Sequence, residues 1–178
     1  NGQVLKRGAM TLVDELSDLR KSVLEPLNIK CSKVSPELES AEYDAFSLQL
    51  NKKVVQYRRA KITPTKIGQF VTLWKRNSLQ DEIRPYTPDD NLDLAIIATR
   101  QENRLGYFIF PMSVLCEQGI AQQKKPGKRG FRLYPVWDKP ISKQAIKSQM
   151  WQLKYFFELT LETKPTDEGI LNLLSCIE

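Results

Sequence analysis

Phe46-Ser47-Leu48-Gln49-Leu50-Asn51-Lys52-Lys53-Val54-Val55-Gln56-Tyr57-Arg58-Arg59-Ala60-Lys61-Ile62 is the stretch that decides the fold. Phe46, Leu48 and Leu50 alternate with Ser47 and Gln49, the period of two that a half-buried strand requires. Asn51-Lys52 supplies a turn, and Lys53 to Ile62 reads as the returning strand. Side chains on that strand alternate across the sheet, so Val55, Tyr57, Arg59 and Lys61 share one face and Val54, Gln56, Arg58 and Ala60 the other. Thr63 to Gly68 has the residues of a bent connection, and Gln69 to Arg76 predicts a third strand.

Upstream, Thr11 is a plausible N-cap, Asp14 and Glu15 suit a first turn, and Leu12, Leu16, Leu19 and Val23 recur at helical spacing until Pro26. Downstream, the apolar run Leu92 to Thr99 suits a central strand buried on both faces. Gln101 to Arg104 turns the chain, Gly106 to Phe110 pairs back, and Pro111 opens a short helix through Glu117. A strand at Phe131 to Tyr134 precedes a long helix from Ser142. Ile141 and Ile146 are spaced as a hydrophobic staple, and Ile146, Met150, Leu153 and Phe157 as the buried stripe of that helix. Pro165 to Glu178 predicts a short terminal helix. This order implies one domain across the chain, of α+β class, with a mixed central sheet flanked by helices.

Composition narrows the chemistry. Histidine is absent, which removes Ser-His-Asp and Cys-His catalysis and any zinc site that needs imidazole. Cys31, Cys116 and Cys176 have no metal-ligand spacing and are odd in number, so they are expected to be reduced thiols of a cytoplasmic protein. No apolar run is long enough to span a bilayer, and the residues after Asn1 are not expected to form a signal peptide. The net charge of +6 favours an acidic partner, nucleic acid first.

The charge is also segregated. Between Ala45 and Gln80 there is no acid, yet Lys52, Lys53, Arg58, Arg59, Lys61, Lys66, Lys75 and Arg76 stand there with Tyr57, Phe70 and Trp74. From Gln118 to Phe157 the only acid is Asp138, against nine cations that include Lys128, Arg129, Arg132, Lys143 and Lys147. Unopposed cations interleaved with aromatics are the footprint of a phosphate-backbone partner. Arg58, Arg59, Lys61, Lys66, Lys75, Lys128, Arg129, Lys143 and Lys147 are therefore the candidate backbone contacts. Trp74, Trp137 and Trp151 are candidate stacking platforms, although tryptophans more often pack a core. Gly127-Lys128-Arg129-Gly130 lacks the spacing of a nucleotide-binding loop and reads as a flexible basic clamp or a plain surface loop. Asp44, or the Asp90/Asp93 pair, with Lys61 would be the acids and lysine of a metal-dependent nuclease, but N-capping and charge balance explain them as well.

Arg58 to Arg76, together with Gly127-Lys128-Arg129-Gly130-Phe131-Arg132-Leu133-Tyr134-Pro135 and the helix around Trp151, resembles the MepB family, small bacterial proteins first noted beside a multidrug efflux pump gene. The resemblance covers about Tyr43 to Phe157. A weaker one, in the order helix, β-meander, helix, strand, is to the restriction-endonuclease-like core, in which an acid-x-Lys strand holds the catalytic metal. The corresponding triplet here is Arg59-Ala60-Lys61. The lysine stays but a cation replaces the acid, which implies a nuclease scaffold kept for binding without hydrolysis. The reading is thus a non-catalytic binder of nucleic acid, chiefly double-stranded DNA with weak sequence preference, needing no cofactor and no metal. A residual nuclease, or a protein-interaction module tied to drug efflux, are the alternatives.

Overall fold

The computed structural model describes residues 15–178, so Thr11, Leu12 and Asp14 of the expected first helix lie outside the described residues. The described chain begins inside that helix, α1 (residues 15–24), whose final turn Arg20–Leu24 is a π-turn. Leu16, Leu19 and Val23 are buried, as their spacing requires.

Nine strands follow in two sheets. β1 (Cys31–Pro36), β2 (Phe46–Leu50), β3 (Lys53–Arg59), β6 (Leu94–Gln101), β7 (Arg104–Pro111) and β9 (Phe156–Leu159) form a six-stranded sheet in the order β1-β2-β3-β6-β7-β9. β4 (Lys61–Ile62), β5 (Gln69–Thr72) and β8 (Gly130–Leu133) form a second, small sheet in the order β4-β5-β8. The β2–β3 hairpin has the expected register, with Leu50 opposite Lys53 across the Asn51-Lys52 turn. Asn51 takes the positive φ of 52° that asparagine tolerates, and its side-chain oxygen accepts the Lys30 backbone N–H at 2.9 Å. β3 pairs in parallel with β6, while the other strand pairs are antiparallel, which makes the main sheet mixed.

The run expected as one strand from Lys53 to Ile62 serves both sheets. It leaves the first after Arg59, bridges through the Ala60 N–H to the Ala98 carbonyl at 2.9 Å, and enters the second at Lys61. Alternation along β3 then sorts its side chains between two cores. Val55 and Tyr57 join the core formed with α1 and with α4 (Glu168–Leu174). The opposite face, with Ala95, Ile97, Phe108 and Phe110, is covered by Val71, Leu73, Phe131 and Leu133 of the small-sheet region and by α2 (Met112–Glu117). β6 is buried through its length until Arg100.

Three expectations change. β1 was hidden in a polar stretch because it is an edge strand with few buried groups, bulged between Ser32 and Ser35 and ending in Pro36, which an edge tolerates. β9 begins where the last long helix was expected to continue. That helix, α3 (Lys143–Gln152), is capped by Ser142, whose hydroxyl accepts the Ala145 N–H at 3.2 Å. Its stripe is not the expected one: Ile146 is 43% and Met150 69% exposed, and Ile141 of the expected staple is 83% exposed. Instead α3 docks through Trp151, packed on the second core, and through amides. Gln152 is buried, accepts the Tyr134 N–H at 2.9 Å and donates to the Arg132 carbonyl at 2.9 Å. Gln149 donates to the Pro135 and Asp138 carbonyls at 3.0 and 2.8 Å. Backbone carbonyls beyond β8 need donors when covered, and the glutamines satisfy them where an apolar stripe could not.

A Cβ added at Gly106 in β7 would stand 2.3 Å from the Phe156 ring and 3.2 Å from the Phe157 carbonyl. That ring packs between Phe108 and Trp137, so making room for the Cβ would disturb both contacts. Gly106→Ala should therefore destabilise the protein by about 1–3 kcal/mol in urea denaturation, with an unchanged m-value.

Candidate nucleic-acid interface

The two basic runs have opposite fates. Arg58 lies on the β3 face turned toward the second core, is 2% exposed, and donates to the Gln56 side-chain oxygen at 2.8 Å and the Tyr57 carbonyl at 3.0 Å. It does not offer its guanidinium at the surface, because the strand's alternation points it inward. Arg59, on the α1 face, stands 3.6 Å from Glu15 and 3.7 Å from Asp44. Lys61 pairs with Glu42 at 3.0 Å, Arg76 with Glu39 at 3.1 Å and Lys75 with Asp90 at 3.6 Å. Four cations of the acid-free stretch, Arg59, Lys61, Lys75 and Arg76, are thus supplied with acids from elsewhere in the chain.

The carboxylates weighed for a metal are engaged in these contacts. Burial raises the Asp44 carboxyl above its ordinary value, opposed by Arg59. Asp90 accepts two bonds from Arg84 at 2.8 Å and the Thr87 N–H at 2.9 Å, and Asp93 accepts the Val54 N–H at 2.8 Å. Among the described residues no group of three or more potential ligands is close enough to hold a metal ion.

The second run converges, and Lys66 of the first joins it. Lys66, Lys128, Arg132 and Lys147 line one open groove of about 510 Å³ between the Lys66 turn, β8 and α3. Fourteen residues line it, and none is acidic. Among the described residues no carboxylate lies within 4.0 Å of these four cations. Arg132 is held in place by Thr63 Oγ1 at 3.0 Å and the Gly68 carbonyl at 3.2 Å. Lys128 sits in a loop tied at three points rather than in a free clamp: its own N–H reaches the Ile120 carbonyl, Gln122 N–H reaches Tyr86, and Leu73 N–H reaches the Arg129 carbonyl. Gly127 makes this possible, since a Cβ there would meet Pro85 at 2.5 Å. Arg129 lines an adjoining hollow that shares Lys128 with the groove. Lys143 is exposed one helical turn before Lys147 on α3, outside the groove lining.

Of the tryptophans, Trp151 lines the groove with its ring 5.3 Å from Phe110. Trp74 stacks under Arg76 at 5.4 Å and Trp137 under Arg104 at 5.0 Å, both away from it. Arg132 is the groove residue that sequence selection left out. Its signal was present in the alternation Phe131-Arg132-Leu133, which buries its neighbours and turns Arg132 to the other face.

The family model described as MepB-like matches residues 37–158. The chain belongs to the MepB-like family. The crystal structure of MepB is similar to it at 34% identity and a TM-score of 0.69, covering 75% of this chain and 89% of that one. No curated protein matches the chain. The family match contains every groove residue from Lys66 to Lys147, so the groove lies within the region that defines MepB-like chains.

Arg84 holds the Asp90 carboxyl well below its ordinary value of 3.8. The stabilisation from this lowered acid is complete above that value and is lost as pH falls below it. Asp90→Asn should cost about 1–3 kcal/mol at neutral pH. The gap from the parent protein should narrow steadily as pH falls from about 5 to about 2, read by urea midpoints across pH.

Proposed function

We propose that the chain binds the phosphate backbone of double-stranded DNA, with weak sequence preference, through the groove formed by Lys66, Lys128, Arg132 and Lys147. The observation that carries this reading is a groove with four cations and no carboxylate among its lining residues. Like charges are gathered at a cost unless an anion relieves them, and a duplex supplies regularly spaced phosphates. Arg129 and Lys143 extend the positive surface on either side. Trp151 and Tyr134 give flat walls beside the four cations, whose contacts position a backbone without reading bases.

Binding without hydrolysis follows from Arg59. Its guanidinium stands between Glu15 and Asp44, where a metal-dependent nuclease of the restriction-endonuclease-like kind would need acids facing a cation. A fixed positive charge there repels a divalent ion. The protein's three cysteines are free, which supports a reducing, cytoplasmic setting. No described helix is long and apolar enough to cross a membrane.

Four phosphate contacts predict a logarithmic salt slope of about −4 for a short duplex, measured by gel shift at several salt concentrations. The double variant Lys128→Gln/Lys147→Gln should make that slope shallower by about 2, since each phosphate contact contributes about one unit. Lys61→Gln, which removes a cation already paired with Glu42, should leave the slope nearly unchanged. Absent or salt-insensitive binding refutes the reading. Supercoiled plasmid with magnesium or manganese should remain intact.

A further inference from the structure

A second cavity, of about 410 Å³, opens beside β3 and shares no lining residue with the basic groove. Arg58 stands at its floor. A guanidinium withdrawn from water is costly unless a counter-charge and a full set of acceptors replace the solvent. Arg58 has neutral acceptors only: Gln56, the Tyr57 carbonyl, and the Tyr86 hydroxyl beside it. Among the described residues no carboxylate lies within 4.0 Å of it. Its Nε–H is buried and has no acceptor, although arginine has five donors to place.

The rim repeats the pattern. The Nε–H of Arg76 also lacks an acceptor, and Lys75 lines the same cavity. Glu37 and Glu39 are the carboxylates of the lining, and Glu39 is taken by Arg76 at 3.1 Å. Glu37 acts on Arg58 only at a distance. Lys75 is paired with Asp90 at 3.6 Å and Arg76 with Glu39, which leaves Arg58 as the cation without a close carboxylate and two buried N–H groups without acceptors. Trp74, held flat by Arg76 at 5.4 Å, forms a wall.

We propose that this cavity binds a small molecule bearing an oxyanion, a carboxylate or a phosphate, that accepts from Arg58 and Arg76 while its body lies against Trp74. The ligand supplies the missing counter-charge at the floor. The site is independent of the DNA groove and stands if that reading fails.

Benzoate and inorganic phosphate are the probes, titrated at constant ionic strength with chloride as the control, by calorimetry and by tryptophan fluorescence. One or both should bind saturably to the parent protein, raise its melting temperature and change Trp74 emission. Arg58→Met keeps the shape and removes the charge. It should weaken binding at least tenfold and, without probe, leave the melting temperature unchanged or higher, because it removes a charge that the empty cavity leaves uncompensated. Should that variant fail to fold, Arg76→Gln and Trp74→Leu at the rim should each weaken the same binding. Phosphate held in the DNA groove would instead survive Arg58→Met and vanish in Lys128→Gln/Lys147→Gln. That result, binding by neither probe, or loss of ligand-free stability in Arg58→Met without loss of binding, overturns the proposal.

Discussion

Glu15 and the cations around it anchor the helix face of this fold. Its carboxylate is 1% exposed, accepts the Arg100 Nε–H at 2.7 Å and lies 3.6 Å from Arg59, which reaches on to Asp44. The Tyr107 hydroxyl donates to the Glu15 backbone carbonyl. One residue of α1 thereby meets β3, β6 and β7 at once. Removing the cations would strand the buried Glu15 carboxylate, so the helix, the sheet and the approach to β2 are fixed together. Leu16, Leu19 and Val23 supply the apolar burial, and the ionic cluster sets where on the sheet it happens.

This cluster also decides what the surface can do. Folding takes acids from the N-terminal third and lays them among the cations of the first basic run, at Arg59, Lys61 and Arg76. Among the described residues the second run has no such neighbours: Asp138 is its only acid in sequence and none lines the groove. The cations of the two runs are therefore sorted into a paired set, Arg59, Lys61, Lys75 and Arg76, and a groove set, Lys66, Lys128, Arg132 and Lys147, with no carboxylate within 4.0 Å among the described residues. A phosphate backbone would meet only the second.

How much of this could be read from the chain follows the same division. Period-two alternation gave the β2–β3 hairpin, and continuous apolarity gave β6, because burial dictates both patterns locally. Ser142 marked the start of α3 by its capping chemistry. The face of α3 was misread, since Ile146 and Met150 have core spacing but Gln149 and Gln152 have the backbone partners. Polar docking leaves no periodic trace. The edge strands β1 and β9 escaped for a related reason, as each has only one strand neighbour. At the candidate interface, Lys66, Lys128 and Lys147 were named from charge alone. The neutralising partners of Arg59 and Lys61 lie 44 and 19 positions away in sequence, which local reading does not reach.

Lysine footprinting tests this sorting most directly, by comparing acetylation rates at each lysine with and without a short DNA duplex. The account predicts protection of Lys66, Lys128 and Lys147, with Lys61 and Lys75 modified at the same rate in both conditions. Protection centred on Lys61 and Lys75, or none at the groove lysines, would contradict it.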